Sequence, residues 1–383
     1  MTNDSQDPKN DKNILERLIG GVREVTDSKD QDKLHEKVSE LKESEKRVGV
    51  KTDAAASGPI GLDIGTSRIV SMTKNINGEL VAKDQLNAFF TIPHSVFAVQ
   101  MLEKSNMKFA EIEGKQLAIF GYDAQEFGNI FNGEVRRPMS QGLLKASEPN
   151  AIQMIKSIIG LVVDKSKTFG TSLCFGVPAP QIGFESDLIF HESILKKHLI
   201  GMGYNTKSIT EGAAVVLSEL SEDNYTGIGI SMGGGMCNVC FSFLSVPVIV
   251  FSIPKGGDYI DTCVSRVVNE TQNRVRVMKE ESLDFGRAPR NKVEHAFEIY
   301  YDDLVMSLLT QLAAVFSQAQ HLPKLNQAIP VVLAGGTAMP NGFRQKFDKA
   351  IKQMKLPVEI SEVRLSSDPL KATSKGALIN AGV

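Results

Sequence analysis

The chain has 383 residues, is 42 % hydrophobic and 23 % charged, and carries a net charge of −2. That leaves room for about two to three domains of ordinary globular composition and lacks the basic excess of a general nucleic-acid binder. No apolar run approaches the roughly 18 residues that span a membrane, and the N-terminus carries no apolar signal core, so a cytoplasmic protein without a transmembrane segment is expected.

Residues 1–57 stand apart. They are densely charged with interleaved signs, and no aromatic residue precedes Phe89. Such a segment cannot bury enough apolar surface to fold alone, so 1–57 is read as a flexible tail and linker. Ile14, Leu15, Leu18, Ile19 and Val22 share one helical face, as do Leu34, Val38 and Leu41. This leaves open a helix that docks a partner protein. Balanced charge and Gly20-Gly21 argue against a helix lying on a membrane.

From Pro59 the pattern changes. Ile60–Ile64 reads as a strand, Gly65-Thr66-Ser67 as a turn and Arg68–Lys74 as a second strand. Asn77-Gly78 is a hairpin signal, and a third strand follows at Glu79–Lys83. Ser172–Val177 is a strand ended by Pro178 and Pro180; Ser186–Met202 and Thr210–Leu220 are helices. Then the opening repeats: strand Gly227–Ser231, glycine turn, strand Met236–Leu244, strand Val246–Ser252. A long helix near Val293–Gln320 precedes strand Ile329–Ala334 and helix Gly342–Met354. A strand–turn–strand–strand unit that appears twice, each time with helices after it, implies two similar domains around one cleft.

Three glycine turns end apolar strands. They are Leu62-Asp63-Ile64-Gly65-Thr66-Ser67, Ile230-Ser231-Met232-Gly233-Gly234-Gly235-Met236 and Val332-Leu333-Ala334-Gly335-Gly336-Thr337-Ala338-Met339-Pro340. A glycine turn lets the backbone approach a ligand and aim several N–H groups at one point, which suits phosphate. Thr66 and Ser67 add hydroxyl donors. A carboxylate at a strand end can hold Mg²⁺ through water, and Asp63 is placed to do so. No GxxxxGK[ST] occurs, so this is not a P-loop protein. Cys237 and Cys240 form a CxxC, but no second ligand pair completes a zinc site. On a strand their thiols point to opposite faces, so they are assigned to the core. The six histidines are given no role.

In order and separation, these segments resemble the bacterial actins of MreB and MamK type, within the actin, heat-shock chaperone and sugar kinase ATPase superfamily. The resemblance runs from about Pro59 to Val383. Arg137-Pro138-Met139-Ser140-Gln141-Gly142 resembles the crossover between the halves, and Val177-Pro178-Ala179-Pro180 the strand end before the next helix. Ile209-Thr210-Glu211-Gly212-Ala213-Ala214 resembles the segment whose acid positions the attacking water, with Gly212 where the family usually has proline. Gly256-Gly257-Asp258-Tyr259-Ile260-Asp261 resembles the turn that opens the fourth subdomain. Val277-Met278-Lys279-Glu280 resembles the helix that touches the nucleoside. Asp368-Pro369-Leu370 and Lys375-Gly376-Ala377 match the closing helix.

The resemblance implies an α/β, ribonuclease-H-like duplicated fold with a reduced fourth subdomain. Its parts would be residues 58–150 (first domain with an inserted subdomain), 151–225 (its remainder), 226–365 (second domain) and 366–383 (closing helix). It implies ATP or ADP with Mg²⁺ as cofactors. Asp63 (Mg²⁺ through water) and Glu211 would be the catalytic residues. The nucleotide would be held by Gly65, Thr66, Ser67, Ser231, Gly233, Gly234, Gly235, Met236, Lys279, Glu280, Gly335, Gly336, Thr337 and Met339.

The function implied is a filament-forming, slowly ATP-hydrolysing cytoskeletal protein whose main partner is itself. The alternative is an ATP-binding scaffold with little turnover. The second motif of the family reads Asp-x-Gly-Gly-Gly-Thr, whereas this chain has Ser231 and Met236 at its ends. On sequence alone, the lost carboxylate loosens the metal and slows hydrolysis. Restoring it as Ser231→Asp is then expected to leave turnover equal or faster.

Overall fold

The computed structural model describes residues 58–131, 133–181, 185–319, 322–325 and 327–383. The expected tail and its helical faces lie outside the described residues.

Strands β1 (Ile60–Ile64), β2 (Arg68–Lys74) and β3 (Leu80–Leu86) form an antiparallel meander. β3 runs past the expected Lys83 because it pairs with β2 until Leu86 meets Arg68. An inserted unit follows: β4 (Phe89–Pro93), α1 (Val96–Lys104), β5 (Phe109–Ile112), β6 (Gln116–Phe120) and α2 (Gly121–Phe131). It has its own three-stranded sheet and a core around Phe90, Leu102, Leu117 and Phe127. The chain returns through β7 (Met139–Ser140), β8 (Leu143–Leu144), α3 (Ala151–Val162), β9 (Thr171–Val177), α4 (Glu185–Gly201), β10 (Tyr204–Thr210) and α5 (Glu211–Glu219). β9 pairs parallel to β1, and β10 pairs parallel to β9. The first sheet therefore has the order β10-β9-β1-β2-β3.

The second half repeats this plan. β11 (Gly227–Met232), β12 (Cys237–Phe243) and β13 (Val246–Ile253) are the meander. Helices α6 (Gly257–Val268), α7 (Gln272–Ser282) and α8 (Lys292–Gln318) lead to β14 (Ile329–Ala334), α9 (Phe343–Lys352), β15 (Ile360–Leu365) and α10 (Ala372–Ala381). The sheet order β13-β12-β11-β14-β15 is the first sheet read from its other edge. The repeat extends to the turns: Gly65 N–H donates to Arg68 O and Gly233 N–H to Met236 O, both at 3.0 Å. Between Gly257 and Lys292 no strand occurs among the described residues apart from one isolated bridge at Asp284. The fourth subdomain is thus reduced, as expected.

By length and composition the 27-residue α8 could cross a membrane, a feature the sequence reading passed over. Here it is a core helix: Phe297, Tyr301, Leu304, Leu308 and Leu312 pack against β11–β13 in the second-half core. Cys237 belongs to that core and Cys240 to a separate one with α5 on the other face of β12. Both thiols are free and buried, Cys263 is half-buried, and burial pushes Cys240 up to about 12.

Helices α5 and α10 pass between the sheets at contacts that tolerate no side chain. A Cβ on Gly61 of β1 would strike the α10 backbone at Ser374 and Leu378. A Cβ on Gly376 would overlap the Ala214 carbonyl of α5, and one on Gly212 would come within 2.7 Å of Cys240 N on β12. This last contact accounts for glycine at position 212. Gly376→Val is expected to lower stability by at least about 2 kcal/mol, since overpacking a filled site forces the backbone apart. Urea or thermal unfolding measures it.

His191 on α4 is buried, with Nδ1 accepting the Leu144 N–H at 3.3 Å and Nε2 lacking a partner among the described residues. Burial lowers its pKa to about 4, whereas an unfolded histidine titrates near 6.5. The fold holds the neutral ring, so its contribution is complete above pH ~6.5 and is lost as pH falls towards ~4. His191→Phe is expected to flatten the decline in unfolding free energy across that window.

Candidate functional site

The two matched turns meet at the seam between the halves. Gly234 and Gly235 have no side chains where a Cβ would strike Ser67 Oγ and Thr66 Oγ1. The N–H groups of Thr66, Ser67, Gly234 and Gly235 donate to no acceptor among the described residues. Thr66 Oγ1 accepts the Gly142 N–H of the crossover at 2.9 Å. Arg137, also from the crossover, donates to Ser67 Oγ at 3.1 Å and to both Asp258 oxygens at 2.9 Å. One guanidinium thereby ties the first turn to the start of α6.

Beneath the turns lie two carboxylates. Asp63 is the penultimate residue of β1 and stays partly accessible; Glu211 opens α5 and is buried. Both flank Gly176 of β9, where a Cβ would stand 3.7 Å from Asp63 Oδ1 and from Glu211 Cγ. Burial, then the charge of Glu211, raises Asp63 well above the usual carboxylate range. Burial also raises Glu211, opposed by two donors to its Oε2: Ser231 Oγ and Asn238 Nδ2, each at 2.9 Å. The α5 N-terminus favours negative charge at Glu211 as well.

A third group adjoins the second turn. Thr337 Oγ1 donates to Gly233 O at 2.8 Å. Lys279 on α7 is buried, donates to Gly257 O at 3.1 Å and pairs with Asp261 at 2.8 Å. Gly335 has φ +90°, which suits glycine, and donates its N–H to Pro369 O at 2.7 Å. Arg276 lies 3.7 Å from Asp261, and burial followed by repulsion from Arg137 lowers its pKa.

The fold therefore gathers Asp63, Gly65, Thr66, Ser67, Glu211, Ser231, Gly233, Gly234, Gly235, Lys279, Gly335, Gly336 and Thr337 at one seam. Met236 is buried, its side chain filling the space that a Cβ on Gly142 would take. Glu280 and Met339 are exposed, and their side chains form no hydrogen bond or ion pair among the described residues. The sequence reading missed Asn238 and gave no role to Arg137, Asp258 or Asp261. Asn238 was findable: a four-residue turn after β11 puts it directly opposite Ser231.

The family model described as Volactin matches residues 59–381. The chain belongs to the Volactin family. No curated protein matches it. Among solved structures this Volactin-family chain is similar to a MamK double helical filament, at 17 % identity with TM-score 0.62 over 85 % of this chain and 98 % of that one. It is similar to MreB5 of Spiroplasma citri bound to AMPPNP, at 15 % identity with TM-score 0.55 over 84 % and 95 % of the two chains. It is also similar to the ethanolamine utilization protein EutJ from Carboxydothermus hydrogenoformans, at 14 % identity with TM-score 0.51 over 87 % and 93 %. The expected actin-like fold is thereby shown.

The donor set fits a phosphate group with a hydrated divalent cation. Four unpaired N–H groups lie in two adjoining turns, while burial pushes two neighbouring carboxyls up, with the charge of Glu211 adding to the rise at Asp63. Among the described residues no group of three or more His, Cys, Asp or Glu is placed to hold a metal ion. Asp63 then stores unfavourable electrostatic energy in the protein alone. Asp63→Asn is expected to raise the melting temperature at neutral pH in the absence of metal, because the neutral amide removes the cost of burying a carboxylate there and then its repulsion with Glu211. Scanning calorimetry in chelator checks this; an unchanged or lower value counts against the carboxylate pair.

Proposed function

We propose that this protein binds ATP with Mg²⁺ at the seam, hydrolyses it slowly and assembles with copies of itself into cytoplasmic filaments. The observation that carries the proposal is the pair of matched turns with four unpaired N–H groups, joined by the neighbouring Asp63–Glu211 pair. It is supported by likeness to a filament of MamK and to an MreB5 structure bound to AMPPNP. Thr66, Ser67, Gly234 and Gly235 would hold the phosphates. Gly335, Gly336, Thr337 and Lys279 would face the nucleoside side. Asp63 would hold hydrated Mg²⁺, which supplies charge to offset that of the phosphates.

Glu211 is the group that would orient the attacking water. Its Oε2 is occupied by Ser231 and Asn238, so Oε1 is the oxygen that would receive a water O–H. Catalysis in such a transfer is mainly positioning and electrostatics. Ser231, a neutral group where the related motif has an acid, favours a second reading: an ATP-binding scaffold with little turnover. Filaments arise when a head-to-tail contact does not close into a ring.

Mg-ATP at about 100 times its Kd should stabilise the fold by ~2.7 kcal/mol, and Asp63→Ala should abolish most of the Mg-dependent part. Calorimetric titration reads both, and no binding by the wild type would sink the proposal. Sedimentation and electron microscopy with ATP should show polymer; a monomer or closed dimer at every protein and nucleotide concentration would leave only the scaffold.

A further inference from the structure

Asn238 makes two directional contacts from a fully buried position. Its Oδ1 accepts the Ala179 N–H at 2.8 Å, and its Nδ2 donates to Glu211 Oε2 at 2.9 Å. A backbone N–H can only donate, so it fixes which end of the amide is oxygen. The end left for Glu211 is therefore a donor. Turning the amide over would leave a buried N–H and a buried carboxylate both facing like groups, which is costly. Ser231, opposite Asn238 in the β11–β12 register, supplies the second donor to the same oxygen.

Ala179 belongs to the first half, just past β9, and is clasped there by the second half. Ser252 Oγ of β13 donates to Ala179 O at 2.8 Å, and Ser252 N–H donates to Pro180 O at 3.1 Å. Asn238 thus stands between the closed seam and Glu211. A parting of the seam would release its oxygen, and with it the fixed direction of its N–H.

We propose that Asn238 is a positioning residue that aims the Glu211 carboxylate, with Ser231 as its second donor, and makes that aim depend on closure of the seam at Ala179. Ser231 is then a group with a task of its own rather than a vacancy. An acid at 231 would place a carboxylate against Glu211, which already neighbours Asp63, and remove a donor. This reverses the expectation drawn from sequence: Ser231→Asp should slow hydrolysis.

The inference rests on the ATPase reading above, and the test separates the two. Asn238→Asp keeps the shape and replaces the donor with an acceptor; Asn238→Ala removes it without adding charge, should the first variant fold poorly. A folded variant is expected to lose at least about 10-fold in kcat, within the ~10²-fold that a misplacement of 1 Å can cost. Its Kd for Mg-ATP should stay within about 3-fold of wild type, since Asn238 touches no phosphate-binding turn N–H. A folded variant with wild-type kcat, or with weaker binding and unchanged kcat, overturns the inference. If the wild type binds Mg-ATP without turnover, or does not bind it, a crystal structure of Asn238→Ala decides. Glu211 displaced from Ser231 supports the positioning role, and Glu211 unmoved refutes it.

Discussion

The architecture depends on how closely the α5 and α10 backbones can approach the two sheets and each other. Gly61, Gly212, Gly229 and Gly376 remove the four side chains that would hold them apart. Gly61 and Gly229 hold the same place in the repeated meander, two residues before Asp63 and Ser231. Each admits a helix against its strand: α10 at β1, α5 at β11. Dispersion forces fall steeply with even small gaps, so backbone-to-backbone packing here gives a stiff junction. The same junction sets the Glu211 end of α5 beside the Asp63 end of β1. Packing and chemistry are fixed by one set of contacts.

The duplication is close in geometry and unequal in chemistry. The turns share the same internal hydrogen bond, and the strands pair in the same order. Yet one residue before its strand end the first half carries an acid and the second a hydroxyl. With Glu211 already beside Asp63, a second acid there would be a third carboxylate in a poorly solvated place, where charge is expensive unless paired. Ser231 and the neutral amide of Asn238 resolve this by donating. The cationic groups sit further out, where Arg137, Arg276 and Lys279 face Asp258 and Asp261.

Much of this was legible in the chain. The three glycine turns, the repeated meander and strand Ile329–Ala334 follow from apolar runs punctuated by glycine, because turn chemistry is local. The inserted unit was placed only in outline, since strands such as Phe109–Ile112 are short and part-exposed, with little period-two contrast. α7 has weak amphipathicity for a related reason, its buried positions being Val275 and the charged Lys279. The Gly212 departure became intelligible only once β12 was seen against α5. The same holds for the network at Glu211, where partners distant in sequence meet, and for Arg137, whose contact with Asp258 spans the two halves. Such contacts are products of the tertiary fold, and no local pattern encodes them.

The placement of the cysteines has a consequence for watching the molecule move. Cys237 and Cys240 sit on one strand but face separate cores, one shared with α8 and the other with α5. A thiol reagent reaches either only when its own layer opens, and the raised Cys240 reactivity threshold keeps that thiol silent while its layer stays shut. Half-buried Cys263 supplies an internal reference. Of the three buried thiols, with Cys174 of β9 against α10 as the third, the pair three residues apart separates loosening of the second half's interior from loosening of the junction with the first.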